Sequence, residues 1–158
     1  MNLKIPYFRQ PTDTTCGPAC TRIVLSYYGI KDSESYLEKE EKTNKRGTKH
    51  SLLIKAIKRA GCRTIQVTDS SLSKLKKYLN MQFPVIINYL EPKTNESHYA
   101  VAKGSNKKGI FLADPYIGNN FFITNSSLLS RWHNEQNTSK DWMLVILPPK
   151  NFLKIKKI

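Results

Sequence analysis

Apolar and polar positions change rhythm once along this chain. Up to about residue 61 the apolar residues recur at helical spacing. In "TCGPACTRIVLSYYGI", Ile23, Val24, Tyr27 and Tyr28 share one stripe, which predicts a helix from Cys16 to Tyr28. Pro18 falls in its first turn, where a missing N–H costs little, and Gly29 supplies the stop. A short helix is predicted over 32–41, capped by Asp32 or Ser33. "KHSLLIKAIKRAG" carries Leu52, Leu53, Ala56, Ile57 and Ala60 on one face and ends at Gly61, a second main helix. Between them "KTNKRGTKH" reads as a basic polar loop.

From Cys62 onward the runs shorten and the helical period gives way. "CRTIQV" alternates like a strand, and "SLSKLKKYL" is a short amphipathic helix capped by Ser71. "FPVIINYL", "HYAVAKGS", "GIFLADP" and "NNFFIT" follow as strand-like runs between turn residues. "SSLLSRWHNE" reads as one more helix and "DWMLVILPP" as a closing strand. Helices first and strands second imply an α+β fold, an antiparallel sheet packed on a helical half.

The length of 158 residues suits one domain. That domain is expected over residues 1–150, with a basic tail at 151–158. Aromatic residues at 10% argue against disorder. Lys and Arg number 26 against 12 Asp and Glu, a formal charge of +14, which favours an acidic partner or an anionic membrane surface. The lysines are scattered rather than clustered with aromatics, so nucleic acid is not an expected partner. No apolar run is long enough to span a bilayer, and "MNLKIPYFRQ" lacks the apolar core of a signal peptide. A cytoplasmic location is therefore expected. Three cysteines, two of them four residues apart, suit neither a disulfide framework nor a zinc site.

Candidate chemistry begins with Cys16. A cysteine attacks only as thiolate, and helix N-termini and imidazolium neighbours favour that form. Cys16 opens the first helix directly behind the polar "PTDTT". Cys20, one turn further in, and Cys62, at the head of an apolar strand, read as core. The thiol needs a base. His50 lies in or beside the basic loop, His133 in a polar segment, and His98 at the entry of "HYAVAKGS". A hairpin turn at Lys107–Gly109 would fold "GIFLADP" back along that strand and bring Asp114 to His98. Asp114 would then accept Nδ1–H from the imidazole. An oxyanion needs donors, which the Cys16 N–H and the side-chain amide of Gln10 could provide.

These residues resemble the papain-like cysteine peptidases that process bacteriocin precursors at double-glycine leaders. The likeness runs from Ile5 to Pro148, and its most specific blocks are "IPYFRQPTDTTCGPACTRIVLSYYG" and "SHYAVAKGSNKKGIFLADPYIG". The resemblance implies a papain-like fold, with a helical lobe carrying Cys16 and a sheet lobe carrying His98 and Asp114. It implies Cys16 as nucleophile, His98 as general base and acid, Asp114 as its orienting group and Gln10 in the oxyanion hole, with no cofactor and no metal. The substrate implied is a peptide or protein cleaved after a Gly-Gly pair. No GxxxxGK[ST] loop occurs, so the chain looks like a free-standing member or an excised domain, membrane-associated only through a transporter. A same-fold amidase, deamidase or acyl transferase, and a non-catalytic peptide-binding module for an acidic partner, stay open as alternatives.

Overall fold

The computed structural model describes residues 2–152. The last six positions of the expected basic tail, 153–158, lie outside the described residues. Helix α1 (Cys16–Tyr27) is buried along most of its surface, including Cys20, Ile23, Val24 and Leu25. A helix apolar on nearly every side belongs in a core rather than at a surface. Helix α2 (Glu34–Glu40) starts at Ser33, whose hydroxyl accepts from the Tyr36 N–H at 3.2 Å, and helix α3 (His50–Arg59) presents Leu53, Ala56 and Ile57 inward. These three helices pack against one another, and α1 and α3 also meet the sheet.

The remaining elements are β1 (Arg63–Val67), α4 (Leu72–Asn80), β2 (Val85–Leu90), β3 (Ser97–Ser105), β4 (Gly109–Asp114), β5 (Gly118–Thr124), α5 (Asn125–Arg131) and β6 (Met143–Leu147). All strand pairs are antiparallel, in one six-stranded sheet of order β1-β6-β2-β3-β4-β5. The closing strand β6 is thus inserted between β1 and β2. Both central strands β2 and β3 are buried on both faces, because helices cover both sides. One core joins α1 and α3 to Ile86, Tyr99, Val101 and Ala113. The other joins Leu75 and Leu79 of α4 and Leu128 of α5 to Tyr89, Ala100 and Leu112. The expected helical half therefore covers one face only, while α4 and α5 close the other.

The β3–β4 hairpin turns on Asn106, whose side-chain oxygen accepts from the Lys108 and Gly109 N–H groups at 2.8 and 3.0 Å. The turn is centred slightly earlier than the expected Lys107–Gly109, because an asparagine side chain can stand in for a backbone acceptor. No helix among the described residues is long and apolar enough to cross a membrane.

Candidate active site

The N-terminus of α1 is left open. Thr15 precedes the helix, yet its hydroxyl makes no cap bond; it is held instead in a turn with Thr12, accepting from the Thr12 N–H and donating to the Thr12 carbonyl, each at 3.1 Å. The first bond of the helix runs from the Ala19 N–H to the Thr15 carbonyl at 3.1 Å. Pro18 has no N–H, and among the described residues no group accepts from the Cys16 N–H. An uncapped helix start concentrates donors and positive dipole at Cys16. Cys16 itself is 7% exposed, at the edge of the core.

His98 and Asp114 meet through the hairpin. Val101 pairs with Ala113 and Ala102 with Leu112, so Asp114 falls diagonally across from His98 on the same side of the sheet. The imidazole Nε2 and Asp114 Oδ1 are 2.8 Å apart. The expected contact through Nδ1 is corrected by this geometry: register decides which residues meet, while the torsions of the histidine side chain decide which ring nitrogen arrives. Asp114 is fully buried and accepts three further hydrogen bonds. Tyr89 O–H donates to Oδ2 at 2.6 Å, and the Tyr116 and Ile117 N–H groups donate to Oδ1 at 2.9 and 3.0 Å. Burial works against its charge, but His98 and these donors hold its pKa below the usual carboxylate value. For His98 burial likewise opposes the charged form. The Asp114 carboxylate and the nearby Cys16 outweigh it and push the pKa up to about 10. Cys16 thus lies close enough to the imidazole to act on its charge.

Gln10 is brought to the same place by the segment before α1. Its N–H donates to the Pro115 carbonyl at 2.9 Å, and Tyr7 O–H donates to the Asp114 carbonyl at 2.7 Å. The Gln10 side chain gives one Nε2–H to the Thr12 carbonyl at 2.8 Å, and its Oε1 is buried without a partner among the described residues. Gln10 borders a cleft of about 370 Å³ together with Thr14, Ser97, His98 and Tyr116. A second cleft, of about 400 Å³, opens beside Cys16 and is lined by Thr48, Asn88 and Tyr99. Cys16 thus borders one cleft and Gln10 and His98 the other, the two clefts sharing Ser97, while Asp114 is buried behind His98. Tyr7 and Tyr89 were not singled out. Both sit in apolar runs, and only a polar tip on a buried aromatic could have marked them.

The other histidines are engaged elsewhere. His50 stacks on Trp142, ring centroids 4.0 Å apart, and its Nδ1 bonds the Tyr99 hydroxyl. Burial lowers its pKa to about 4, so it is neutral at neutral pH. His133 contacts the Asn134 carbonyl through Nδ1 at 2.8 Å. Cys20 and Cys62 are buried in the α1 core, and burial raises both thiols, Cys62 to about 11.

Beneath the Cys16 turn lies a buried carboxyl. A Cβ on Gly17 would stand 2.5 Å from Thr48 Oγ1 and 3.3 Å from Glu41 Oε2, so this turn fits against them only as glycine. Glu41 is fully buried; Oε1 accepts from the Thr21 hydroxyl and Oε2 has no partner among the described residues. Burial raises its pKa to about 8, against the opposing effect of Thr21. A carboxyl raised on folding stabilises the fold most below its unfolded value, and that contribution disappears as pH rises through about 8. Urea midpoints should accordingly fall between pH 5 and pH 9 by the equivalent of a few kcal/mol. In Glu41→Gln the part of that fall below about pH 6.5, roughly 2 kcal/mol, should vanish, while the part that His98 contributes above it should remain. An unchanged pH dependence in the variant would remove Glu41 as its source.

Comparison with known proteins follows the same lines. A family profile described as "Peptidase C39 family" matches residues 4–138. A Lactococcus lactis protein, a lactococcin transport/processing ATP-binding protein LcnC-like, is 32% identical over 111 residues, 69% of this chain. The match spans only 15% of that relative's length. The crystal structure of the peptidase domain of Streptococcus ComA, a bi-functional ABC transporter involved in a quorum sensing pathway, superposes with a TM-score of 0.75 at 25% identity, covering 92% of this chain and 98% of that one. A double glycine motif protease from an AMS/PCAT transporter, solved in complex with the leader peptide, shares the fold with a TM-score of 0.76 at 23% identity, covering 93% and 94%. The α+β architecture is that of these papain-like peptidase domains.

Proposed function

The chain belongs to the peptidase C39 family of cysteine peptidases, and on that premise we propose that it cleaves a peptide bond through an acyl-thioester on Cys16. The observation that carries this reading is the buried pair of His98 and Asp114, 2.8 Å apart, with Cys16 close enough to act on the charge of the imidazole. His98 keeps its proton through neutral pH, and in the proposed reaction Cys16 attacks as a thiolate beside that imidazolium. The thiolate attacks the substrate carbonyl. The uncapped Cys16 N–H and the second N–H of Gln10 Nε2 then receive the oxyanion, a contribution of roughly 3–4 kcal/mol per donor. The bond to the Thr12 carbonyl supports this role for Gln10, since it fixes the amide while using one of two donors. His98 passes its proton to the leaving amine and afterwards takes one from the water that hydrolyses the thioester. Asp114 keeps the ring oriented throughout. Cleavage after a Gly-Gly pair is the specificity proposed, by likeness to the double glycine motif protease.

The test has two readouts. Mass spectrometry of a Gly-Gly peptide treated with the protein should show backbone scission. A gain of about one dalton or an adduct would instead identify a deamidase or a transferase. Iodoacetamide at pH 6 should label Cys16 far faster than Cys20 or Cys62, whose thiols burial holds protonated. Equal, slow labelling of all three would overturn the thiolate–imidazolium pair.

A further inference from the structure

The two clefts differ in charge and in what remains unpaired inside them. The cleft beside Cys16 is lined by no acidic residue, and its charged residues are Arg46 and Lys49 of the basic loop, both exposed. Neither forms an ion pair among the described residues. Asp13, Glu91 and Glu96 border the other cleft, beside His98, with Lys45 the one lysine there. At the floor of the Cys16 cleft stands Asn88. It is 6% exposed, lies on β2 opposite Tyr99, and faces the same side as Ile86 just past the end of the apolar core. Its Oδ1 is buried with no hydrogen-bond partner among the described residues. An unpaired buried amide oxygen costs about 1–3 kcal/mol, so it is a liability to the fold unless something donates to it.

Resting on the peptidase reading, the direction of the substrate follows from the chemistry. The acyl half stays bound to Cys16 while the amine half leaves under His98. The cleft that contains Cys16 without His98 therefore receives residues N-terminal to the cleaved bond. We propose that this cleft is an acyl-side subsite in which Asn88 Oδ1 accepts a backbone N–H of the substrate and Arg46 and Lys49 select an acidic side chain close before the cleaved bond. The backbone contact is indifferent to sequence and anchors the strand. The cationic rim supplies the selectivity, by attraction to carboxylate and repulsion of ammonium.

The probe is a set of fluorescent ten-residue peptides with a central Gly-Gly pair and Glu, Gln or Lys at each of the three positions preceding it. kcat/KM should fall in the order Glu, Gln, Lys at one of these positions, by about three- to tenfold from first to last. The order should flatten in high salt. Arg46→Glu combined with Lys49→Glu, both on the surface, should invert it. Asn88→Ala should weaken all peptides alike, by about tenfold, leave their order intact, and leave the melting temperature unchanged or higher. A merely structural asparagine would instead lower it. Binding of the same peptides to Cys16→Ala, read by fluorescence anisotropy, keeps the subsite separate from the chemistry. Ordered binding without turnover in the wild type would overturn the peptidase reading and support the subsite. Equal affinity for Glu, Gln and Lys peptides at all three positions would overturn the subsite, as would an Asn88→Ala protein that lost stability but not affinity.

Discussion

Cys16→Ala should lose peptide turnover by about 10⁴-fold or more and keep its fold. The sulfur is the attacking atom of the proposed reaction, and no other thiol can replace it, since Cys20 is fully buried and Cys62 nearly so. The structural penalty is small because Cys16 sits at the rim of the core, where removing one sulfur atom leaves a shallow gap; about 1 kcal/mol is expected. His98→Ala should lose activity to a similar degree, with a difference in stability: it leaves the Asp114 carboxylate buried without its cationic partner. The wild-type pH profile checks the same pair. The imidazolium is the acid that serves the leaving amine, and His98 keeps its proton until pH rises through about 10. kcat/KM should therefore persist well above pH 7 and fall on that alkaline limb. Loss of activity near pH 6.5, an ordinary histidine value, would show that Asp114 and Cys16 do not act on the ring as described.

Asp114→Ala should be the most destabilising single change at the site, by about 3–5 kcal/mol. One fully buried side chain accepts from His98, from the Tyr89 hydroxyl and from the Tyr116 and Ile117 N–H groups. Removing it strands those donors at once. The sign of the pH effect follows from the depressed pKa. The contribution of Asp114 is present above the unfolded carboxylate value, about 3.9, and is lost as pH falls through the lower folded value. His98 gives the complementary limit: its raised pKa contributes fully below about 6.5 and loses that contribution as pH climbs through about 10. Urea midpoints of the wild type should show both losses, and Asp114→Ala should show neither at full size. Asp114→Asn offers a milder comparison, since an amide oxygen can still accept from the turn N–H groups while the ion pair is lost. If Asp114→Ala unfolded at the wild-type urea concentration, the carboxylate would not be the hub that its contacts describe.

Much of this architecture could be read from periodicity. Most helices and strands follow from apolar spacing and flanking turn residues, α2 from its cap instead, and the hairpin between "HYAVAKGS" and "GIFLADP" is enough to pair His98 with Asp114. Those inferences succeed because they are local: a turn of a few residues fixes register, and register fixes which side chains face each other. The ring nitrogen that meets Asp114 escaped the sequence, since it depends on side-chain torsions that carry no periodic signal. So did β6, whose place between β1 and β2 depends on a pairing more than 70 residues apart from β1.

What the sequence determined by itself was the set of elements, the thiol at the head of α1, and the pairing of His98 with Asp114 by chain direction. What only the tertiary structure decided was the company these residues keep. Tyr89 under Asp114, Tyr7 and Gln10 strapped to the β4–β5 turn, Glu41 beneath Gly17 and Asn88 at the floor of the Cys16 cleft all come from distant parts of the chain. The reason is physical: hydrogen-bond geometry and desolvation depend on which surfaces are pressed together in space. A one-dimensional pattern of apolar and polar residues records which faces are buried, but not against what.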